Sequence, residues 1–244
     1  MMDYFNYINN EYINNIKRLL TLSGLYDLLN LDNILIDFKS FFNVKFEDDE
    51  EYMNYLYAHK WHPYTGYHLD YKLKKYIMQI KRTISDYQLA NLTIDKTIFH
   101  YYDKNTVKSL KIKWRKSVND YRKRVLLQSL SAFNRYEYAL TICALVPMWT
   151  VFINNICNAD VHNVSDIKAK YNKIMSDKNY SAIYNEYFDN FIFYKCKNTS
   201  EVVADVPGRH AIAHGYFTDY PSKKSALNAI IFTDLLINLE NAKS

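Results

Sequence analysis

Arg209, His210 and His214, packed into six residues, are the part of this 244-residue chain where residue types and spacing suit chemistry. A guanidinium is permanently charged and planar, so it can grip two phosphate oxygens and stabilise charge that develops on them. An imidazole titrates near neutral pH and can take a proton from one hydroxyl and give one to a departing oxygen. The segment reads Asp205-Val206-Pro207-Gly208-Arg209-His210-Ala211-Ile212-Ala213-His214-Gly215, and two of the chain's 4 glycines and two of its 4 prolines fall between Pro207 and Pro221. Asp205 or Gly208 suits a helix start, Pro207 a first turn and Gly215 an end, which predicts a short helix from about Pro207 to His214. Arg209 then lies near the positive N-terminal end, with His214 about 7.5 Å further along the axis and His210 on the face of His214. That arrangement fits phosphodiester cleavage by proton transfer. It requires no metal or cofactor, and no HExxH, EF-hand loop, Walker A loop or CxxC pair occurs to supply one.

The elements that must position these residues are helical. With 4 glycines, 4 prolines and 49 % hydrophobic residues, the chain has a sizeable core and too little turn chemistry for a sandwich or barrel. Apolar residues recur at helical spacing from Tyr4 to Leu20, and a short helix is expected between Gly24 and Val44. The acidic run Glu47 to Glu51 opens another helix that ends near His59. A loop follows from His59 to Gly66, and then a helix with Leu73, Tyr76 or Ile77, Ile80, Ile84 and Tyr87 on one face. Further stripes run through Leu126, Leu130 and Phe133, through the uncharged stretch Tyr138 to Ile153, and from Tyr180 to Ile192. Ser222 caps a terminal helix carrying Leu227, Ile230, Ile231, Asp234 and Leu235 on one side. The stretch Tyr138 to Ile153 is shorter than the roughly 20 residues of a membrane span and reads as a buried central helix, which Pro147 should kink or restart.

Charge is distributed unevenly. The net charge of +5 permits a polyanionic partner without demanding one. Nine basic residues crowd between Lys104 and Arg124, among them Lys111, Lys113, Arg115 and Lys116. They could neutralise phosphates or form a solvated helix face. The tract also marks the expected division into a helical accessory region, 1–114, and a helical bundle, 115–244. Cys143, Cys157 and Cys196 are odd in number and unpaired in spacing, which fits a reducing cytosol rather than a disulfide frame. No secretory signal is visible in the N-terminal residues, and a cytoplasmic location without membrane insertion is expected.

The string RHAIAHG resembles the Arg, polar residue, three others, then His pattern of HEPN ribonucleases, particularly bacterial defence and toxin members. The resemblance covers about Arg115 to Leu239. It implies a four- or five-helix bundle that forms a homodimer, with both motifs facing a shared cleft where RNA is cut without metal. It further implies a toxin or anti-phage effector, and a cognate antitoxin in some cases. By position, Arg209 and His214 become the catalytic pair and His210 the polar residue that assists them. One departure stands out: Trp149 and Thr150 occupy the place where similar proteins carry an acidic residue, a role that Glu137 could take over. If the departure is disabling, the chain is a silent HEPN-like module that binds RNA or protein.

Other readings compete at each position. Arg209 and His214 could instead bond within the bundle or pair with Asp205 and Asp219. His59, His62 and His68 surround Trp61 without a ligand spacing typical of metal sites, so a packed loop anchor is the better expectation, with base stacking as the alternative. Tyr216 is close enough to the motif to line a cleft or to fill the core.

Overall fold

Short polar side chains set the helix boundaries. Asp86, Asp103, Asn163 and Ser222 each accept a hydrogen bond from the backbone N–H three residues on, satisfying a donor that the helix start leaves free. The computed structural model describes residues 47–64, 70–118, 120–216 and 221–242. The helices expected before Glu47, together with His68 and Asp219, lie outside these residues. Among the described residues there are ten α-helices and no strand. They are α1 (Glu47–Ala58), α2 (Asp70–Thr83), α3 (Tyr87–Tyr101), α4 (Lys104–Ser117) and α5 (Arg122–Asn134), then α6 (Tyr138–Cys157), α7 (Val164–Asp177), α8 (Ile183–Tyr187), α9 (Arg209–His214) and α10 (Lys223–Asn241). The fold is all-α.

Helix α10 is the centre of the bundle. Residues Lys224 to Ile237 are buried on every side, with α6 and α4 against it. Phe232 on α10 meets Trp149 of α6 at 5.0 Å between ring centroids, Phe188 and Tyr171 each at 5.9 Å, and His62 at 5.5 Å. Two lysines in its first turn oppose the helix dipole. Lys224 is offset by Asp95 of α3, 2.7 Å away, and by the Trp61 ring, while Lys223 lies over Phe99.

The expected central helix, α6, is buried on one face only. Thr141, Ile142, Leu145, Val146, Trp149, Phe152 and Ile153 point into the core, and α6 lies against α5, α7, α9 and α10. Leu140, Cys143 and Pro147 are exposed on its other side. The helix runs through Pro147 without restarting. It also continues past Ile153 to Cys157, so its 20 uncharged residues do reach the length of a membrane span. The expectation based on a shorter stretch is corrected on that point.

Two further stripes are divided differently from their sequence pattern. Ile84 and Tyr87 continue the period of Leu73, Ile77 and Ile80, but α2 ends at Thr83 and the Asp86 cap begins α3, leaving Tyr87 exposed. The stripe from Tyr180 to Ile192 forms α8 and then one π turn, Phe188–Ile192. A π turn inserts a residue and so re-aims the side chains beyond it. Phe188, at its start, stacks on Tyr171 at 3.9 Å, and Phe193, just beyond it, stacks on Phe188 at 4.5 Å.

The basic tract forms α4 and the start of α5, and it does not interrupt the core. Residues Asp49 onward form one compact unit, inside which the division expected near Arg115 falls. Trp114 is fully buried, and its indole N–H donates to Asp234 of α10 at 2.8 Å. Lys113 donates to both carboxylate oxygens of Asp234 at 2.8 Å. Arg122 is buried over the Phe152 ring and pairs with Asp120 and Glu240.

Candidate functional site

Helix α9 holds the RHAIAH string in one and a half turns. Gly208 precedes it, and Gly215 closes it in the left-handed region at φ 67°, a conformation that costs glycine nothing. A Cβ on Gly208 would stand 2.3 Å from the ring of Tyr194, whose hydroxyl accepts the Val203 N–H at 3.1 Å. The motif therefore rests directly on an aromatic ring at its start. Asp205, the alternative cap, instead takes a left-handed backbone conformation and accepts from the Ser222 hydroxyl at 2.7 Å. Its carbonyl also accepts from Asn228, which ties the approach to α9 onto the central helix.

Arg209 and His210 are half-buried against the 193–196 segment, and His214 is exposed. The Arg209 guanidinium lies 5.2 Å from the centre of the Phe193 ring and is half-buried. His214 is exposed, and its ring is 4.3 Å from that of His210 and 5.5 Å from that of Tyr216, the latter nearly parallel. Neither Arg209 nor His214 forms an ion pair with another described residue. The competing reading, a pairing with Asp205, is not seen. Asp205 is engaged by Ser222.

The electrostatics are positive. His210 is held below the ordinary imidazole value, first by desolvation and then by His214, Lys195 and Arg209. Placing several cationic or protonatable groups together favours a negatively charged ligand beside them. His210 Nδ1 is also 3.5 Å from Cys196 Sγ. Sequence reasoning missed Phe193, Tyr194, Lys195 and Cys196. Nothing in the string after the aromatic stripe marked it as the wall of the motif, because a chain return of that kind carries no local signature.

The structure brings the rings of His210, His214 and Tyr216 together, sets Arg209 over Phe193 and near enough to act on His210, and leaves the basic tract apart from them. Helix α9 lies against α6, whereas α4 lies against α5 and α10. Lys111 donates to the Ser131 hydroxyl and Lys113 is taken up by Asp234, so two of the five expected RNA contacts, which also include Tyr216, are engaged within the bundle. Arg115 and Lys116 are exposed. Glu137 forms a two-pronged pair with Arg135 at the start of α6. Trp149 is buried and donates to Thr233, and the Thr150 hydroxyl is buried without a hydrogen-bond partner among the described residues.

The histidines around Trp61 are anchors of the 59–64 loop. His59, Trp61, His62 and Tyr64 are all buried. The His62 N–H donates to the Asn228 side chain, and its Nδ1 accepts from the Tyr64 N–H. No cluster of three metal-ligating residues occurs among the described residues. Comparison with protein-family models, with curated proteins and with solved structures yields no match, so the residues and their geometry carry the functional argument.

Proposed function

We propose that the chain is a metal-independent endoribonuclease of HEPN type, with Arg209 and His214 as its catalytic pair and His210 assisting them. The observation that carries this reading is a single one. An exposed imidazole and a half-buried guanidinium share a six-residue helix, and no described carboxylate neutralises either of them. His214 takes the proton from a ribose 2′-hydroxyl, the 2′-oxygen attacks phosphorus, and the P–O5′ bond breaks as the leaving oxygen gains a proton. Arg209 holds the phosphoryl oxygens through the transition state. Products are a 2′,3′-cyclic phosphate and a 5′-hydroxyl.

RNA is the proposed partner, with a second copy of the chain completing the cleft. Supporting the homodimer is the uncharged outer face of α6, where Leu140, Cys143 and Pro147 are exposed on the helix against which α9 lies. A cytoplasmic toxin or anti-phage role, and a cognate antitoxin, rest on the motif resemblance alone. The test is incubation of the purified chain with RNA in EDTA, with the ends of the products then determined. Cyclic phosphate termini are expected, and cleavage should stop at any position given a 2′-deoxyribose. Cleavage that ignores the 2′-deoxy substitution, or that needs a metal ion, would overturn the proposal.

A second reading is favoured by the engagement of Glu137 with Arg135 and by Trp149 and Thr150 at the expected acidic position. The chain would then bind RNA or protein through the same surface without cutting. Salt-dependent RNA retention with intact substrate identifies that case.

A further inference from the structure

Cys196 is a polar neighbour of the motif from outside α9. It is buried at 1 % exposure, and its sulfur lies 3.5 Å from Nδ1 of His210. A thiol S–H is a weak donor and a neutral imidazole offers one bare nitrogen, so the two fit as donor and acceptor. The opposite assignment, a thiolate beside an imidazolium, requires two charges where burial disfavours the first of them. Desolvation, with Glu201 second, pushes the Cys196 thiol up, while desolvation, with His214, Lys195 and Arg209 after it, pushes His210 down. Both directions keep the partners neutral.

We infer that Cys196 is a positioning residue for His210, its S–H donating to Nδ1 so that the imidazole is fixed as the Nε2–H tautomer beside His214. The inference deepens the nuclease proposal and rests on it for its functional meaning. The tautomer is set by the other ring nitrogen's partner, as it is for histidines generally. A neutral ring 4.3 Å away sets no charge beside His214, whose proposed role is to gain the 2′-hydroxyl proton. A charged ring at that distance would oppose the gain. Among the described residues, the groups that act on His210 are Arg209 and His214 on its own helix, Lys195 and Cys196 on the 193–198 segment, and Tyr216 beyond Gly215.

The test uses ring-nitrogen NMR on the full chain, with Cys196→Ala and Cys196→Ser alongside the parent. The parent should show His210 protonated at Nε2 and bare at Nδ1 at neutral pH. Cys196→Ala should mix the tautomers and move the His210 titration to higher pH, because the bond that favoured the neutral ring is gone. Cys196→Ser retains a donor and should restore the parent pattern; it also keeps the comparison usable if the alanine variant does not fold. In RNA cleavage, Cys196→Ala should lower kcat and displace the pH profile while KM stays unchanged. An Nδ1–H tautomer in the parent, or identical His210 spectra and titration in parent and Cys196→Ala, would overturn the inference. The spectra do not depend on cleavage, so loss of the nuclease reading and loss of this one are seen separately.

Discussion

Replacing Asp234 with alanine should destabilise the bundle by about 2–4 kcal/mol, and the magnitude comes from the groups that the carboxylate holds. Its side chain is 6 % exposed and accepts from Lys113 Nζ at 2.8 Å, from Trp114 Nε1 at 2.8 Å and from Asn238 Nδ2 at 3.4 Å. Removing it orphans the indole N–H of a fully buried Trp114, at about 1–3 kcal/mol. The Lys113 side chain is 29 % exposed and can turn toward water, so its share falls below the ~3–5 kcal/mol of a fully buried broken pair. Asp234→Asn keeps an acceptor for Trp114 and should cost about half as much. Denaturant titration monitored by circular dichroism measures both, and the midpoint should drop for each variant with Asp234→Ala lower. A change in Asp234→Ala equivalent to under about 0.5 kcal/mol would refute the claim that this pair ties α4 to α10.

Three more expectations concern other parts of the structure. Because Lys113 is occupied by Asp234, Lys113→Ala should leave the salt slope of RNA binding unchanged, whereas exposed Lys116→Ala, if it meets phosphate, should reduce the slope by about 1. His62 is buried among Tyr64, Tyr184, Tyr187 and Phe232, and burial pushes it down to about 3. The unfolded chain therefore binds a proton that the native state refuses, so stability is lost as pH falls from about 6.5 toward 3, at up to about 1.4 kcal/mol per pH unit; denaturant midpoints at pH 7, 5 and 4 should show this steepness in the parent and not in His62→Phe. Gly208→Ala forces the Tyr194 ring aside and breaks its bond to Val203, which should lower stability by about 1 kcal/mol and reduce any RNA cleavage more than that loss of folded protein explains.

The parts of the fold legible in the sequence are those with local causes. The acids from Glu47, the Ser222 cap and the glycines at 208 and 215 act within one turn of themselves, and the helices begin or end where they stand. The gathering of His210 and His214 on one face is a consequence of their spacing of four. The features that were not legible depend on partners far along the chain. Asp234 reads as a carboxylate on the apolar side of the terminal helix with no partner in sight, yet Lys113, 121 positions away, lets it sit in the core and lets α10 be buried all round. The break between α2 and α3 was hidden because Ile84 and Tyr87 happen to keep the period across the Asp86 cap. Cys196 and Phe193 reach the motif only after a chain return that no periodicity describes.

One measurement goes most directly to the role of the α9 side chains. A labelled single-stranded RNA is incubated in EDTA with the parent, Arg209→Ala and His214→Ala, each first shown to be folded by circular dichroism. The account predicts cleavage by the parent and a loss of about 100-fold or more in each variant, as expected when a charge-stabilising donor or a proton-transfer group is removed. Cleavage at the parental rate by both variants would contradict it.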